Sequence, residues 1–332
     1  MKCASSAFSS FFKQCFTHIN PLFDIPASKM IPFCMDPVTH ALAGAAIKQL
    51  GFRRKAALGV LLLSSLAPDF DYVTRFWGAD IFLRYHRGIT HGIAALAVVP
   101  LVIALIFGYK KNFLYYYCLS LLAYGVHLFL DLTNQYGTRL LSPLDWEQYS
   151  LDLSFIIDPY VTLGLLLCII LGWRMRKKAQ VIAAITILLL TSYFGIRYYL
   201  HNRTEDFLRA RLDANTYKMC PLPNDFLRWW FVARSGNEYI TGFADLFTRR
   251  VCIQERYLID NRDPFIQRSL GDKGVQNFLS FAKYPLAEVS REEGRTVVLW
   301  RELAYSFRAD SHFVTRVVFD KEGKIVGSRF TF

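Results

Sequence analysis

Ionisable side chains with metal-binding chemistry occur in four short motifs, each at the end of an apolar run. Imidazole and carboxylate groups are the ligands that zinc and related divalent ions take in proteins. Such groups are costly in or beside hydrocarbon, so their presence there indicates a functional site. The sequence therefore predicts a divalent metal centre, with zinc as the expected ion. Its predicted ligands are His40, Asp69, Asp71, His86, His91, His127 and Asp131.

Two spacings within these motifs suit metal binding directly. His127 and Asp131 are four residues apart, so on a helix they share one face, where both bind one ion or Asp131 orients His127. Asp69 and Asp71 flank one residue after a proline, in a turn where both carboxylates can converge. Taken singly, each motif has a plainer explanation, such as a helix cap or a structural histidine. Only the whole set favours a metal centre.

Arg87 is the predicted catalytic cation. It precedes His91 by four residues at a helix start, where the positive helix end suits an anion such as phosphate. Arg87 would stabilise charge that develops on a phosphoryl oxygen or leaving group. A scaffold role, as an ion pair with Asp69 or Asp71, is the alternative. Asp71 is the predicted general base for water at the metal.

The elements that must position these groups are apolar runs between about residues 38 and 200. A helix that crosses a bilayer needs about 20 apolar residues. The runs 89–107, 112–130, 155–171 and 179–196 are long enough, whereas 38–50 and 56–67 are shorter. The pattern predicts a mainly α fold, with a polytopic membrane domain of about six helices over residues 35–200.

The net charge of +12 comes largely from basic clusters between the apolar runs. Short loops rich in Lys and Arg are typical of the cytoplasmic side of a membrane protein. With these loops in the cytoplasm, all the motifs lie on the outer side of the membrane. No nucleic-acid motif is present, so nucleic acid is not an expected partner. The expected partners are the lipid bilayer and a small-molecule or lipid-like substrate.

Residues 201–332 are predicted to form a small β-rich soluble domain, extracytoplasmic by the same topology. Strands are expected at 238–241, 296–300 and 312–319, with a turn at 320–323 leading into a final strand at 324–330. Trp229 and Trp230 are expected in its core rather than against the membrane. Cys220 and Cys252 form a disulfide or stay as separate thiols.

Residues 1–34 differ from the rest of the chain, because their apolar stretch is short and interrupted. They are neither a clear signal peptide nor a full membrane span. We expect an N-terminal extension that is disordered or not native, with Met35 as the natural start. A weak amphipathic helix is the alternative.

The order of the motifs resembles the YdjM family of inner-membrane proteins, for which metal-dependent hydrolase activity is inferred. The resemblance covers residues 35 to 158, and the later part is similar to the C-terminal extension of longer members. It implies a multi-pass protein of the bacterial inner membrane. A more distant likeness, to the zinc phospholipase C and P1 nuclease group, implies phosphoester cleavage. Those enzymes also bind metal through His and Asp at helix ends.

The sequence thus predicts a membrane-embedded, metal-dependent hydrolase with its active site at the outer membrane face. The expected substrate is a phosphoester or a lipid-like molecule, because the site lies at the membrane–water edge. One alternative is a metal-binding membrane protein without turnover, such as a sensor or transporter. Another is a structural polar cap that ties helix ends together.

Overall fold

The computed structural model describes residues 37–292, 294–307 and 313–331, so the predicted extension 1–34 lies outside it. Helices form the first half of this described part and strands dominate the second. The first-half helices are α1 (Pro37–Gln49), α2 (Ala57–Leu66), α3 (Ala79–Tyr85), α4 (Ile93–Gly108), α5 (Phe113–Thr133), α6 (Pro159–Arg174) and α7 (Ala179–Arg209). Short 3₁₀ segments occupy Pro68–Trp77, Ile89–His91 and Arg176–Lys178.

Two helical segments are long and apolar enough to cross a membrane, namely α5 and the stretch Arg176–Arg209 that contains α7. A third candidate is the pair Ala79–His91 and Ile93–Gly108, if this pair, bent by 66°, is one span. Helices α2 and α6 are apolar but shorter. Length and composition therefore support two or three spans in the described part of the chain, and about six spanning helices are not confirmed.

The helices pack through small and aliphatic side chains. Helix α5 lies against α2 and α4, while α1 packs on α2 and α6 and α6 packs on α7. The core between α2, α4 and α5 contains Val60, Leu61 and Ile103. Large apolar side chains such as Leu188 and Leu189 of α7 point away from these cores and stay exposed. An apolar outer surface of this kind suits contact with lipid rather than with water.

The second half contains two four-stranded antiparallel sheets, each with its strands in chain order. The first consists of β1 (Thr216–Pro221), β2 (Arg228–Ser235), β3 (Glu238–Asp245) and β4 (Arg250–Leu258). Two short helices follow, α8 (Pro264–Ser269) and α9 (Lys273–Leu279). The second sheet consists of β5 (Pro285–Glu292), β6 (Arg295–Glu302), β7 (Val314–Phe319) and β8 (Ile325–Thr331).

Several predictions for the second half are confirmed. β7 and β8 pair as an antiparallel hairpin on either side of the predicted turn. Trp229 and Trp230 are buried in the cores, Trp229 with residues of the first sheet and Trp230 with the second-sheet cluster.

No disulfide joins Cys220 of β1 to Cys252 of β4 in the described structure, because β1 and β4 are opposite edges of one sheet. Helix α7 continues to Arg209, past the predicted domain boundary at residue 200.

Five buried polar side chains form a seam between the two halves, here called the polar seam. Lys218 Nζ of β1 lies 2.6 Å from Asp152 Oδ1 in the loop after α5. Arg139, in the same loop, donates from Nη2 to the backbone oxygen of Ser280 at 3.1 Å. The halves are therefore joined by specific hydrogen bonds as well as by apolar contact. The members of the polar seam are Arg139, Asp152, Arg197, Lys218 and Asn277.

Candidate metal centre

Four of the seven predicted ligands lie in one buried group, here called the four-residue centre. Asp69 comes from the 3₁₀ segment Pro68–Trp77, His91 from the segment before α4, and His127 and Asp131 from α5. One ligand atom of each lies within 4.8 Å of the other three. The helical spacing of His127 and Asp131 puts both on the face of α5 that meets the two short segments.

Short distances connect the four ligand atoms. Asp131 Oδ2 lies 3.1 Å from His91 Nε2 and 3.2 Å from His127 Nε2. The two Nε2 atoms are themselves 3.2 Å apart. Asp69 Oδ1 lies 3.7 Å from His91 Nε2 and 3.8 Å from His127 Nε2. All four groups therefore surround one small volume.

The hydrogen bonds at the far side of each ring fix the tautomer of the two histidines. His127 Nδ1 lies 2.7 Å from the backbone oxygen of Ser65, which can only accept, so Nδ1 carries the proton. His91 Nδ1 lies 3.1 Å from Thr90 Oγ1 and 3.4 Å from Asp71 Oδ2. Because the Thr90 hydroxyl donates to Asp71, His91 Nδ1 is the donor here as well. In the neutral rings both Nε2 atoms then present lone pairs to each other.

These residues fit a divalent cation. Both carboxylate oxygens of Asp69 and Oδ2 of Asp131 lack a hydrogen-bond partner among the residues described. Leaving carboxylates buried and unpaired is costly, and so is the approach of two nitrogen lone pairs. A cation between them removes both costs. Two imidazole nitrogens and two carboxylate oxygens are a donor set that zinc and related ions accept.

Asp71 lies behind the four-residue centre and holds its parts in place. Its Oδ1 lies 2.8 Å from His86 Nδ1, and its Oδ2 accepts from the backbone N–H of Arg87 at 2.9 Å and from Thr90 at 3.1 Å. Burial alone would raise the pKa of Asp71, but the charge and hydrogen bond of His86 outweigh it and hold the pKa below its ordinary value. A carboxylate so engaged orients its neighbours more readily than it accepts a further proton.

His40 and His86 are the other two predicted ligands that lie outside the four-residue centre. His40 Nε2 lies 3.2 Å from Asp131 Oδ1, and the His40 ring stacks on His127 with 3.7 Å between the centroids. His86 is held by Asp71, and its ring stacks on Phe82 at 4.4 Å. Both rings therefore contact the carboxylates and do not join the four converging atoms.

Arg87 is buried beside the centre, with its guanidinium on Asp131. Nη2 lies 2.6 Å from Asp131 Oδ1, and Nη1 donates to the Asp131 backbone oxygen and to Asn134 Oδ1, each at 2.9 Å. The alternative pairing of the side chain with Asp69 or Asp71 is not what the structure shows; only the Arg87 backbone reaches Asp71. Nε of Arg87 has no partner in the described part of the chain.

The backbone at Arg87 is strained, because its φ of 54° lies in the left-handed region that non-glycine residues rarely adopt. Two hydrogen bonds hold it there. Its N–H donates to Asp71, and its carbonyl accepts from the backbone N–H of Arg139 at 3.0 Å. Such strain concentrates at functional sites, where surrounding contacts impose it.

An open pocket with a cavity volume of about 30 Å³ adjoins the centre. His40, Arg87 and Asp131 form part of its polar wall, together with Asn134. Five further residues of the lining are apolar. The pocket therefore offers both polar and apolar surface to a bound molecule. The apolar lining residues are Leu130, Phe155, Ile156, Val161 and Phe194.

Sequence reasoning missed several residues that support the centre. Ser65 accepts from His127 through its backbone oxygen, so the type of its side chain gives no indication of this role. Asn134 lies just beyond α5 and holds Arg87, and the Tyr124 hydroxyl donates to the Thr90 carbonyl. Tyr124 lies one helical turn before His127 on α5, so the helical period could have indicated it.

Gly44 of α1 permits the close approach of α2 that supplies the Ser65 oxygen. A Cβ at Gly44 would lie 2.6 Å from Ser65 Oγ and 3.0 Å from the Leu61 backbone oxygen. We expect Gly44→Ala to cost about 1–3 kcal/mol of stability through overpacking, seen as a lower thermal midpoint in detergent. Gly125→Ala in α5 is the matched control, because nothing lies within 4 Å of a Cβ there. Equal midpoints for the two variants would contradict the tight contact.

A helical membrane half with a buried His/Asp centre, joined to two antiparallel sheets, defines the class of this protein. The chain belongs to the YdjM inner membrane protein family, which matches residues 35–204. This confirms the resemblance found in the motifs. It is therefore a membrane protein by family, with a centre that could hold a metal ion.

A second family model matches the later part of the chain: residues 264–332 are similar to the YfhP C-terminal alpha/beta plait domain. Over 304 residues the chain is 24% identical to the uncharacterized protein YfhP of Bacillus subtilis (strain 168), covering 85% of this chain and 90% of that protein. No solved structure matches the chain. The more distant likeness to zinc phospholipase C and P1 nuclease is not shown by these comparisons.

Proposed function

We propose that this protein is a membrane-embedded, metal-dependent hydrolase. The proposed ion is zinc, held by Asp69, His91, His127 and Asp131. The observation that carries the proposal is the pair of Nε2 atoms, 3.2 Å apart, beside carboxylate oxygens that have no hydrogen-bond partner among the described residues. A pocket lined by both polar and apolar residues opens beside this group.

The bound ion would supply a water of lowered pKa and would polarise the bond to be cleaved. The residues of the chain supply the rest. Arg87 belongs to the pocket lining, and we assign its Nε–H, which has no partner among the described residues, to donate to a negatively charged oxygen of the substrate. His40 lies on the pocket wall with Nδ1 unpartnered in the described structure and Nε2 near Asp131. We assign proton transfer to His40 and a positioning role to Asp71, in place of the base role expected for Asp71 from sequence.

The pocket favours a phosphoester of an amphiphile as the substrate. Arg87 and His40 suit a phosphate, because a guanidinium binds its oxygens with directed N–H donors. The apolar wall that includes Phe155 and Phe194 suits a hydrocarbon portion. A fully polar substrate would make no favourable contact with these apolar residues.

The proposed function is tested with protein purified in detergent. We expect about one divalent ion per chain, loss of turnover after chelation, and recovery when zinc is returned. The substrates to compare are bis(p-nitrophenyl) phosphate and a short-chain phospholipid, and the phospholipid is expected to be cleaved faster. A protein without bound metal, or a metal-loaded protein without turnover of any phosphoester or ester, would overturn the proposal.

The rival function is metal binding without catalysis, in a sensor or transporter. Two features are compatible with this rival function: the four-residue centre is buried, and two of its residues belong to α5, a candidate span. Stoichiometric metal with no hydrolysis would support this rival. A purely structural polar cap instead predicts no bound metal at all.

We further propose a multi-pass topology of about six helices in the bacterial inner membrane, with the centre and the β half outside the cytoplasm. The support is the basic sequence between α1 and α2, between α4 and α5, and between α6 and α7. A reporter that works only in the cytoplasm, fused after residue 332, is expected to be inactive. Full reporter activity in cells would reverse the proposed orientation.

A further inference from the structure

The 3₁₀ segment Pro68–Trp77 has two faces of opposite chemistry. Asp69 is buried in the four-residue centre, and Asp71 is buried behind it. Between and after them, Phe70, Phe76 and Trp77 are 76%, 90% and 67% exposed. A segment in contact with water on its outer side would not be expected to present such large apolar side chains together.

The exposed face extends to the next site-bearing segment. The Thr90 hydroxyl donates to Asp71, which joins the two segments. Ile89 directly precedes Thr90, and Phe70 directly precedes Asp71, so these two side chains are held near one another. Ile89 is also exposed. We call this surface the apolar rim, which consists of Phe70, Val73, Phe76, Trp77 and Ile89.

The apolar rim is continuous along the chain with apolar helices. Helix α2 ends at Leu66, two residues before the segment begins, and α4 begins at Ile93, shortly after Ile89. Both helices expose apolar side chains, such as Leu63 and Val98. The described residues of the second half do not cover the rim: they contact the adjacent α3 through Asp80 and Asn277, and Phe76 and Trp77 stay exposed.

We propose that the apolar rim inserts into the interfacial layer of the lipid bilayer. Aromatic side chains are enriched at that depth, where their rings contact both acyl chains and headgroups. Arg75, exposed beside Phe76, adds a cation that suits anionic headgroups. The same short segment then anchors the protein to lipid on one face and supplies Asp69 to the centre on the other.

The proposal fixes where the centre lies relative to the membrane. Asp69 and Phe70 are consecutive, so the centre lies within one residue of the lipid interface. It goes beyond the proposed hydrolysis, because insertion of the rim requires neither bound metal nor turnover.

Photocrosslinking in proteoliposomes tests this insertion. The photoreactive residue p-benzoyl-phenylalanine replaces Phe76 in one variant and Phe247 in the control variant. Phe247 is 81% exposed, in the turn between β3 and β4. Both are exposed aromatic side chains, so neither replacement disturbs a core. The vesicles contain phosphatidylcholine and phosphatidylglycerol, with a trace of radiolabelled phosphatidylcholine.

We expect labelled lipid on the Phe76 variant after illumination, at least about fivefold above the Phe247 variant. Equal labelling of the two variants, or no lipid label at position 76, would overturn the proposal. A crosslink from position 76 to a second protein chain in place of lipid would overturn it too, because the rim would then be a protein interface. Bound metal and elution volume, measured on both variants, report whether each is folded.

Discussion

Substitution of His127 by alanine is expected to lower the metal affinity of the purified protein by more than about 100-fold. Loss of an outer-shell partner alone typically costs 10- to 100-fold, and His127 is a direct ligand in the proposed centre. The other three ligands cannot replace the lost nitrogen, because His91 and Asp131 already direct their nearest atoms at the centre. Metal content after dialysis against a competing chelator measures the change.

Two further histidine variants make this result specific. His86→Ala removes a partner of Asp71 and is expected to cost only 10- to 100-fold in affinity, because His86 lies outside the four converging atoms. His201→Ala, in α7, should leave the affinity unchanged. If His127→Ala retained its metal, or if all three variants lost it equally, the four-residue centre would be wrong.

Arg87→Lys is expected to reduce turnover per bound metal by about 10- to 1000-fold, the scale of losing one transition-state donor. Lysine keeps the positive charge, but it lacks the planar fork that donates to Asp131 and Asn134 together. The metal content should stay near normal, because Arg87 is not a ligand. The measurement is the rate of hydrolysis divided by the metal content, with the faster-cleaved of the two substrates named above.

Arg84→Lys is the matched control for this experiment. Arg84 lies three residues earlier and donates to Asn277 of the second half, whereas Arg87 donates to Asp131. Its variant should keep normal turnover per metal. Unchanged turnover in Arg87→Lys would exclude a catalytic role for Arg87, whereas loss of metal together with activity would identify it as scaffold for Asp131.

The sequence predicted the centre best where regular geometry relates its residues. His127 and Asp131 are one helical turn apart, so their convergence follows from the helix itself. Asp69 and Asp71 were expected to converge as well, but the segment that bears them is a 3₁₀ helix. Residues two apart on such a helix point about 120° from each other. Asp69 therefore faces the centre while Asp71 faces His86.

Features that depend on tertiary contact could not be read from the motifs. The partner of Arg87 is Asp131, 44 residues later, and the choice between this and a nearer aspartate is made by the packing of α5. The hairpin of β7 and β8 was predictable, because its turn and strands are local in sequence. The number of membrane spans was less predictable, because several apolar helices are shorter than a bilayer requires.

The polar seam has a consequence for the order in which the protein matures. Arg139 is a buried cation whose guanidinium donates to backbone oxygens on both sides, those of His86 and Ser280. Arg197 likewise needs the Phe226 carbonyl, which it reaches at 2.8 Å. While the ribosome is still making the second half, these cations lack their final acceptors. The neighbourhood of His86 and Arg87 is therefore complete only after the chain as far as Ser280 has been made and has packed against the helices. If the centre binds a metal ion, we expect it to do so late in biogenesis.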